Sequence, residues 1–293
     1  MTAVDTCGLE TDEKQSESHR SRATASTYDR AVLVNFGGSP IEVRQEGSGR
    51  TVVLIHGYPL DGAMWSSVAR RLSDRFRVFK PDLPGHGENR AAPEGTIDSY
   101  ADFVSSVIEA AGGSVGLAGF SMGGYVALAL LKRRPEQIAA LALVDSRAIA
   151  DDETTRAKRD ESIALLRQSG VEPVAEAMLG KLLAPESLTR GDLADRVRRI
   201  MRRQSAAALE SDLTAMRGRP DSVAFLAQIA VPTLVVVGEK DVISPSAEGR
   251  DIAEAIRGAR LTEIPGSGHL TPMESPAAVA RALGDFFGAS LPG

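Results

Sequence analysis

Cysteine is almost missing from this chain: Cys7 is the only one, so no internal disulfide can form. It lies in a polar stretch with nothing to activate a thiolate, which argues against a cysteine nucleophile. An excess of basic residues is missing too. The net charge is −5, against what a nucleic-acid-binding surface requires. No apolar run reaches membrane-spanning length and no apolar signal core stands near the N-terminus, so a cytoplasmic location is expected. There is no H-E-x-x-H, no cysteine cluster and no dinucleotide glycine fingerprint, so neither a metal nor a cofactor is expected. No internal repeat is found.

What remains is ordinary for a globular chain of 293 residues: 43% hydrophobic, 25% charged and 4% aromatic. That length buries a substantial core. The chain is organised around V-G-L-A-G-F-S-M-G-G-Y-V-A-L at 115–128. A short apolar run passes through Gly119-Phe120-Ser121-Met122-Gly123 into strong helix formers. The pattern reads as strand, sharp turn, helix, with Ser121 at the tip. Small residues two before and two after the serine let the backbone pass closely. The hydroxyl then sits at a helix N-terminus, whose partial positive charge favours a developing anion.

Residues 1–27 are rich in Ser, Thr, Glu and Asp and read as a disordered tail. Strands are expected at 30–36 and 41–45, joined as a hairpin around Gly37-Gly38-Ser39, and then at 51–55, 77–79, 115–119 and 138–144. Helices are expected at 65–72, 99–111 and after Ser121. Continuous apolar strands alternating with helices predict a mostly parallel sheet covered on both faces. From 146 to 219 the alternation stops. Only helical stretches follow (162–168, 174–183, 193–209), nearly balanced in charge, and they read as a helical cap. Another helix is expected at 221–228. The α/β pattern then resumes with strands at 233–237 and 260–264 and helices at 246–256 and 276–287. The expected organisation is a core of 28–145 and 220–293 with a cap of 146–219.

Several polar motifs fall at carboxyl ends of the expected parallel strands, where open α/β sheets place their sites. They are H-G-Y-P at 56–59, D-L-P-G-H-G at 82–87, G-F-S-M-G-G at 119–124, G-E-K-D at 238–241 and G-S-G-H at 266–269. In these motifs and their order the chain resembles the α/β-hydrolase superfamily over roughly residues 30–288. Within it, the stretches around His56 and Ser121 look most like the 3-oxoadipate enol-lactonase and small-esterase group. The resemblance implies a mostly parallel eight-stranded sheet with the cap inserted after the sixth strand.

Acyl-transfer chemistry then distributes the roles. A serine hydroxyl is a poor nucleophile at neutral pH and needs a base within hydrogen-bond reach. Of the four histidines, His19 is in the tail, while His56 and His86 sit in tight turns and read as loop-shaping. His269, late in the chain where the family's base sits, is the candidate base. Asp241 is the candidate acid that orients it. Asp145, ending the 138–144 strand, competes, since some members of the fold place the acid there. Asp82 reads as a brace for its Pro/Gly loop. The resemblance assigns the oxyanion-stabilising amides to Tyr58 and Met122.

Tyr58, Met64, Trp65, Met122 and residues near Ala148 are candidates to line an apolar pocket. Trp65 and Arg147 are singled out for the substrate, Arg147 as the group that would hold a substrate carboxylate; the alternative for Arg147 is a solvated hinge residue. The basic run Arg196, Arg198, Arg199, Arg202 and Arg203, interleaved with Asp192 and Asp195, reads as a solvated helix face, with a docking or phosphate site as the alternative. The leading reading is a serine hydrolase acting on a small ester or lactone. C–C bond hydrolysis on the same fold and a non-catalytic binding protein are the competing readings.

Overall fold

The apolar runs become the strands of one sheet in a computed structural model that describes residues 1–2 and 28–292. In chain order the strands are β1 (Tyr28–Phe36), β2 (Ser39–Glu46), β3 (Arg50–Ile55), β4 (Phe76–Phe79), β5 (Val115–Phe120), β6 (Ile138–Val144), β7 (Thr233–Gly238) and β8 (Arg260–Ile264). Their spatial order is β1-β2-β4-β3-β5-β6-β7-β8. The expected eight-stranded, mostly parallel sheet is therefore present. β1, β2 and β4 pair antiparallel, and every neighbour from β4 to β8 pairs parallel. Gly37 and Gly38 turn the β1–β2 hairpin at φ 58° and 78°, the left-handed conformation that a two-residue turn of this kind needs. Residues 3–27 of the tail, with Cys7 and His19, lie outside the described residues.

The central strands read as unbroken apolar runs because both faces are covered. Along β3, Val53 and Ile55 pack into one layer while Val52 and Leu54 pack into the other, and β5 divides Val115 and Leu117 from Ala118 and Phe120 in the same way. The helices follow as α1 (Ser66–Leu72), α2 (Ile97–Ala110), α3 (Met122–Arg133), α4 (Glu153–Ser169), α5 (Val171–Leu182), α6 (Pro185–Leu188), α7 (Gly191–Arg202), α8 (Ala206–Gly218), α9 (Val223–Leu226), α10 (Ser246–Ala255), α11 (Thr271–Glu274) and α12 (Pro276–Ser290). Helices α2 and α3 fill one layer; α1 and α12 fill the other. Helix α12 lies so close to β5 that a Cβ on Gly116 would come within 2.8 Å of the Phe287 ring. Each large aliphatic side chain buried here contributes about 1.5–3 kcal/mol relative to exposure.

Between β6 and β7 the only regular elements are helices, and they differ from expectation in instructive ways. Helix α4 starts nine residues before the expected 162, at Glu153. Its first turns are polar and carry no apolar period, and Asp152 caps them by accepting from the Thr155 N–H at 2.7 Å. The single helix expected over 193–209 is two. Ser205 breaks it and caps α8 through the Ala208 N–H at 3.1 Å. The helix expected over 221–228 shrinks to one turn, α9. The helix expected from Trp65 begins instead at Ser66, after a 3-10 turn at Gly62–Trp65.

Buried polar contacts fasten these inserted helices to the sheet. Asp61, fully buried, accepts from Arg203 Nε and Nη2 at 2.5 Å each and from Gln204 Nε2 at 2.7 Å. His86 Nε2 meets Asp212 Oδ2 at 2.9 Å, and the Tyr100 hydroxyl donates to Asp212 Oδ1 at 2.7 Å. Among the described residues no helix is long and apolar enough to cross a membrane.

Candidate active site

Strand β5 delivers Ser121 to the rim of the sheet in a strained turn, at φ 50° and ψ −115°. Three bonds hold it there: its N–H donates to Val144 O at 2.9 Å, and its carbonyl accepts from the Ser146 hydroxyl at 2.8 Å and the Gly124 N–H at 2.9 Å. Such a backbone costs about 1–3 kcal/mol and persists only where its surroundings over-determine it. The glycines explain how the turn fits. A Cβ on Gly119 would lie 2.2 Å from Gly123 O, one on Gly123 2.6 Å from the carbonyls of Ile55 and His56, and one on Gly124 2.2 Å from Ser146 Oγ. Any of these side chains would crowd the turn that carries Ser121.

The three residues singled out in sequence meet at this rim. Ser121 Oγ lies 2.9 Å from His269 Nε2, and His269 Nδ1 lies 2.8 Å from Asp241 Oδ2. The other oxygen of Asp241 accepts from the N–H groups of Ile243 at 2.7 Å and Ser244 at 2.9 Å, which fixes the carboxylate's orientation. The histidine ring also packs against Phe120, 5.1 Å between centroids. Ser121 is the most open of the three at 8% exposure, against 1% for His269. This geometry allows the imidazole to take the hydroxyl proton while the carboxylate stabilises the imidazolium.

Asp145 does not reach His269. Its oxygens accept from the Gly238 N–H at 2.9 Å and the Thr271 hydroxyl at 2.5 Å, bracing the ends of β6 and β7 against the loop that follows the histidine. Complete burial, and then the neighbouring Asp241 charge, push the Asp145 carboxyl well above the ordinary carboxylate range. Its backbone, at φ 48°, is strained like that of Ser121.

The remaining candidates divide. The chain just after β3 passes close to Ser121, since a Cβ on Gly57 would lie 3.0 Å from Ser121 Cβ; Tyr58 follows it. Met122 is the first residue of α3. Among the described residues neither the Tyr58 nor the Met122 N–H donates to a protein acceptor. Trp65 and Met64 are core residues at 0% and 1% exposure, with Trp65 packed edge-on against Phe120, while Met64 also borders a cleft with Ile200 and Met273. Their spacing on a helical turn places them inward, where a large apolar side chain gains most from burial.

Arg147 and Ala148 line a cleft of about 510 Å³ with Tyr125 and Arg219. Arg147, however, is already matched by the Glu248 carboxylate, Nε at 2.5 Å and Nη2 at 2.7 Å, which raises its pKa against the opposing effect of burial. In the basic run, Arg198 and Arg202 pair with Glu176 and Glu172 of α5, and Arg203 with buried Asp61. Arg196, Arg199, Arg202 and Arg203 are exposed, so the face is solvated while its ion pairs tie α7 to α5 and to Asp61.

His56 and His86 are buried and shape loops as expected. His56 Nε2 accepts the Leu83 N–H at 2.9 Å, so its proton is on Nδ1; burial and then the neighbouring His86 lower its pKa. His86 faces two acceptors, Pro84 O at 3.1 Å and Asp212 at 2.9 Å, an arrangement that suits the imidazolium, which can donate to both. Burial opposes that charge, but Asp212 outweighs it and raises the His86 pKa. Asp82 braces its loop through the N–H groups of Gly62 at 2.8 Å and Glu88 at 2.9 Å. Reading the sequence missed Asp61, Ser146, Asp212 and Glu274, whose partners are distant along the chain. Among the described residues no group of three or more His, Cys, Asp or Glu is placed to hold a metal ion.

A serine–histidine–aspartate chain on the rim of such a sheet defines a class, and comparison with known proteins agrees with it. The alpha/beta hydrolase family matches residues 52–282, and this chain belongs to it. It is an α/β hydrolase of the esterase type. The pimeloyl-[acyl-carrier protein] methyl ester esterase of Chromobacterium violaceum is 29% identical over 244 residues, covering 82% of this chain and 94% of that one. Among solved structures, a thermophilic esterase from Thermogutta terrifontis is similar at a TM-score of 0.84 and 32% identity, covering 90% of this chain and all (100%) of the other. The enol-lactonase of Burkholderia xenovorans is similar at 0.80 and 25%, covering 88% and 100%.

Proposed function

We propose that this hydrolase cleaves a small carboxylic ester or lactone through an acyl-enzyme on Ser121. The observation that carries the reading is the continuous contact from Ser121 Oγ through His269 to Asp241, at 2.9 and 2.8 Å. His269 Nε2 takes the hydroxyl proton as Ser121 Oγ adds to the substrate carbonyl. The tetrahedral oxyanion is received by the Tyr58 and Met122 amides, each such donor being worth on the order of 10²–10³ in rate. The imidazolium returns its proton to the departing alkoxide. Water, deprotonated by the same imidazole, then releases the acid. In a lactone the alkoxide stays tethered to the acyl group and the product is a hydroxy acid; in an enol-lactone the released enol tautomerises to a keto acid.

The names of the relatives support this chemistry: one acts on a methyl ester and one on an enol-lactone. We assign residues 146–219 the role of a cap over the site, on the core of 28–145 and 220–293. The test is covalent capture of Ser121 by an alkyl phosphonate together with turnover of p-nitrophenyl acetate. Ser121→Ala should lose both. A Ser121→Ala enzyme that hydrolyses the ester at the wild-type rate would refute the assignment.

A further inference from the structure

The loop that carries His269 is held by a residue with no part in proton transfer. Glu274 ends the short helix α11, and its side chain is buried at 5% exposure. One carboxylate oxygen accepts the Gly268 N–H at 2.9 Å, on the amide just before the histidine. The other accepts the Ala184 N–H at 2.9 Å, in the inserted helices between α5 and α6. On the far side of the histidine, the Leu270 N–H donates to Leu182 O at 2.9 Å. Both residues flanking His269 are thus tied to the segment 182–184, one directly and one through Glu274. The approach is tight: a Cβ on Gly268 would lie 2.5 Å from the Ala184 nitrogen.

We propose that Glu274 is a positioning residue for His269, joining the candidate base to the inserted helices. The proposal rests on the reading of Ser121, Asp241 and His269 as a triad. The chemistry of the side chain fits this task. Two amide donors face it from opposite sides, so it must present two acceptor atoms at once. A glutamine presents one acceptor and one donor, and would leave an N–H facing an N–H. An alanine leaves both amides without partners. The Arg190 guanidinium nearby bonds the main-chain oxygen of Glu274, at 3.2 Å, and leaves the carboxylate to the two amides. Because the imidazole must lie within hydrogen-bond reach of Ser121, a shift of about 1 Å in its loop is enough to cost on the order of 10²-fold in rate.

The experiment uses the full chain, with p-nitrophenyl acetate as substrate and a p-nitrophenyl alkyl phosphonate to count competent sites by its stoichiometric burst. Glu274→Gln should lower kcat per titrated site about tenfold, and Glu274→Ala on the order of 10²-fold, with KM within about twofold of wild type because Glu274 touches no substrate. Gly268→Ala, which displaces the same loop without altering the carboxylate, should reproduce the fall in kcat. A merely structural role would lower the melting temperature and the number of titratable sites while leaving kcat per site unchanged, and that result overturns the proposal. If Glu274→Ala does not fold, Glu274→Gln and Gly268→Ala decide. A wild-type chain that neither turns over the ester nor takes the phosphonate removes the triad reading and this proposal with it. A competent wild type beside unchanged variants removes this proposal alone.

Discussion

Two aspartates compete for one role at this rim, and changing each to asparagine separates them. In Asp241→Asn the oxygen that accepts from Ile243 at 2.7 Å and Ser244 at 2.9 Å keeps both bonds, so the side chain stays in place. Its new NH₂ then occupies the position 2.8 Å from His269 Nδ1. That nitrogen must turn acceptor, which moves the ring proton to Nε2, facing Ser121. The imidazole can no longer take the serine proton. The loss in kcat should be on the order of 10⁴, about 5 kcal/mol on the barrier, with KM unchanged.

Asp145→Asn should behave differently. Burial and the Asp241 charge already favour its neutral form, to which asparagine is nearly isosteric. The Gly238 N–H keeps its acceptor, and the Thr271 hydroxyl can rotate to accept from the new amide. Here kcat should stay within a few-fold and stability within about 1 kcal/mol. The measurement is ester turnover by both variants, with urea unfolding as the control for folding. A loss in Asp145→Asn equal to that in Asp241→Asn, or an Asp241→Asn enzyme within tenfold of wild type, would show the acid to be misassigned.

The His86–Asp212 pair makes a pH-dependent contribution to stability. A histidine whose folded pKa is raised stabilises fully below its unfolded value of about 6.5, and the contribution is lost as pH rises through the folded value. Unfolding free energies of wild type minus Asp212→Asn, measured from pH 6 to 9, should therefore narrow with rising pH, from a difference of about 3–5 kcal/mol for breaking a buried pair. A difference that grows towards pH 9 would contradict the pairing. Arg147→Ala tests the substrate role: with Glu248 as its partner, the relative KM for esters with and without a distal carboxylate should not change, and the stability loss should stay below about 1 kcal/mol because the pair is partly exposed. A selective rise in KM for the carboxylated ester would restore Arg147 as a substrate ligand.

Some of this was legible in sequence for a definite physical reason. Parallel strands buried on both faces must be apolar at consecutive positions, so β3, β5, β6 and β7 announce themselves. The glycines at 119, 123 and 124 mark a turn where backbones nearly touch, and Ser121 and His269 fall at strand ends. The inserted helices were harder to read. The first half of α4 is polar, and a single capping serine splits what looks like one helix into α7 and α8. Hardest of all were contacts whose partners lie far along the chain: Asp212 is 126 residues from His86 and Glu274 is 90 from Ala184. No local pattern encodes such a pair. An aspartate in the middle of a helix looks the same whether it faces water or a buried imidazolium.

The buried carboxylates also bear on how a substrate reaches Ser121. Asp61, Asp212 and Glu274 each bond across the boundary between the inserted helices and the sheet, to Arg203 and Gln204, to His86 and Tyr100, and to Ala184. Lifting the insert as one rigid lid would break all of these together, along with the Leu270–Leu182 backbone bond. Even with water replacing each partner, the net loss is about 0.5–1.5 kcal/mol per bond, more where a charge is involved. Summed over these contacts, and with the apolar area uncovered besides, it approaches the ~5–15 kcal/mol that holds a typical domain folded. The bond that ties Ala184 to Glu274 would fail in the same motion, releasing the loop of the candidate base. On the proposed reading of 146–219 as a cap, substrate is admitted by local movement of side chains and short turns, since opening the insert wholesale would break the bonds that hold the loop of His269.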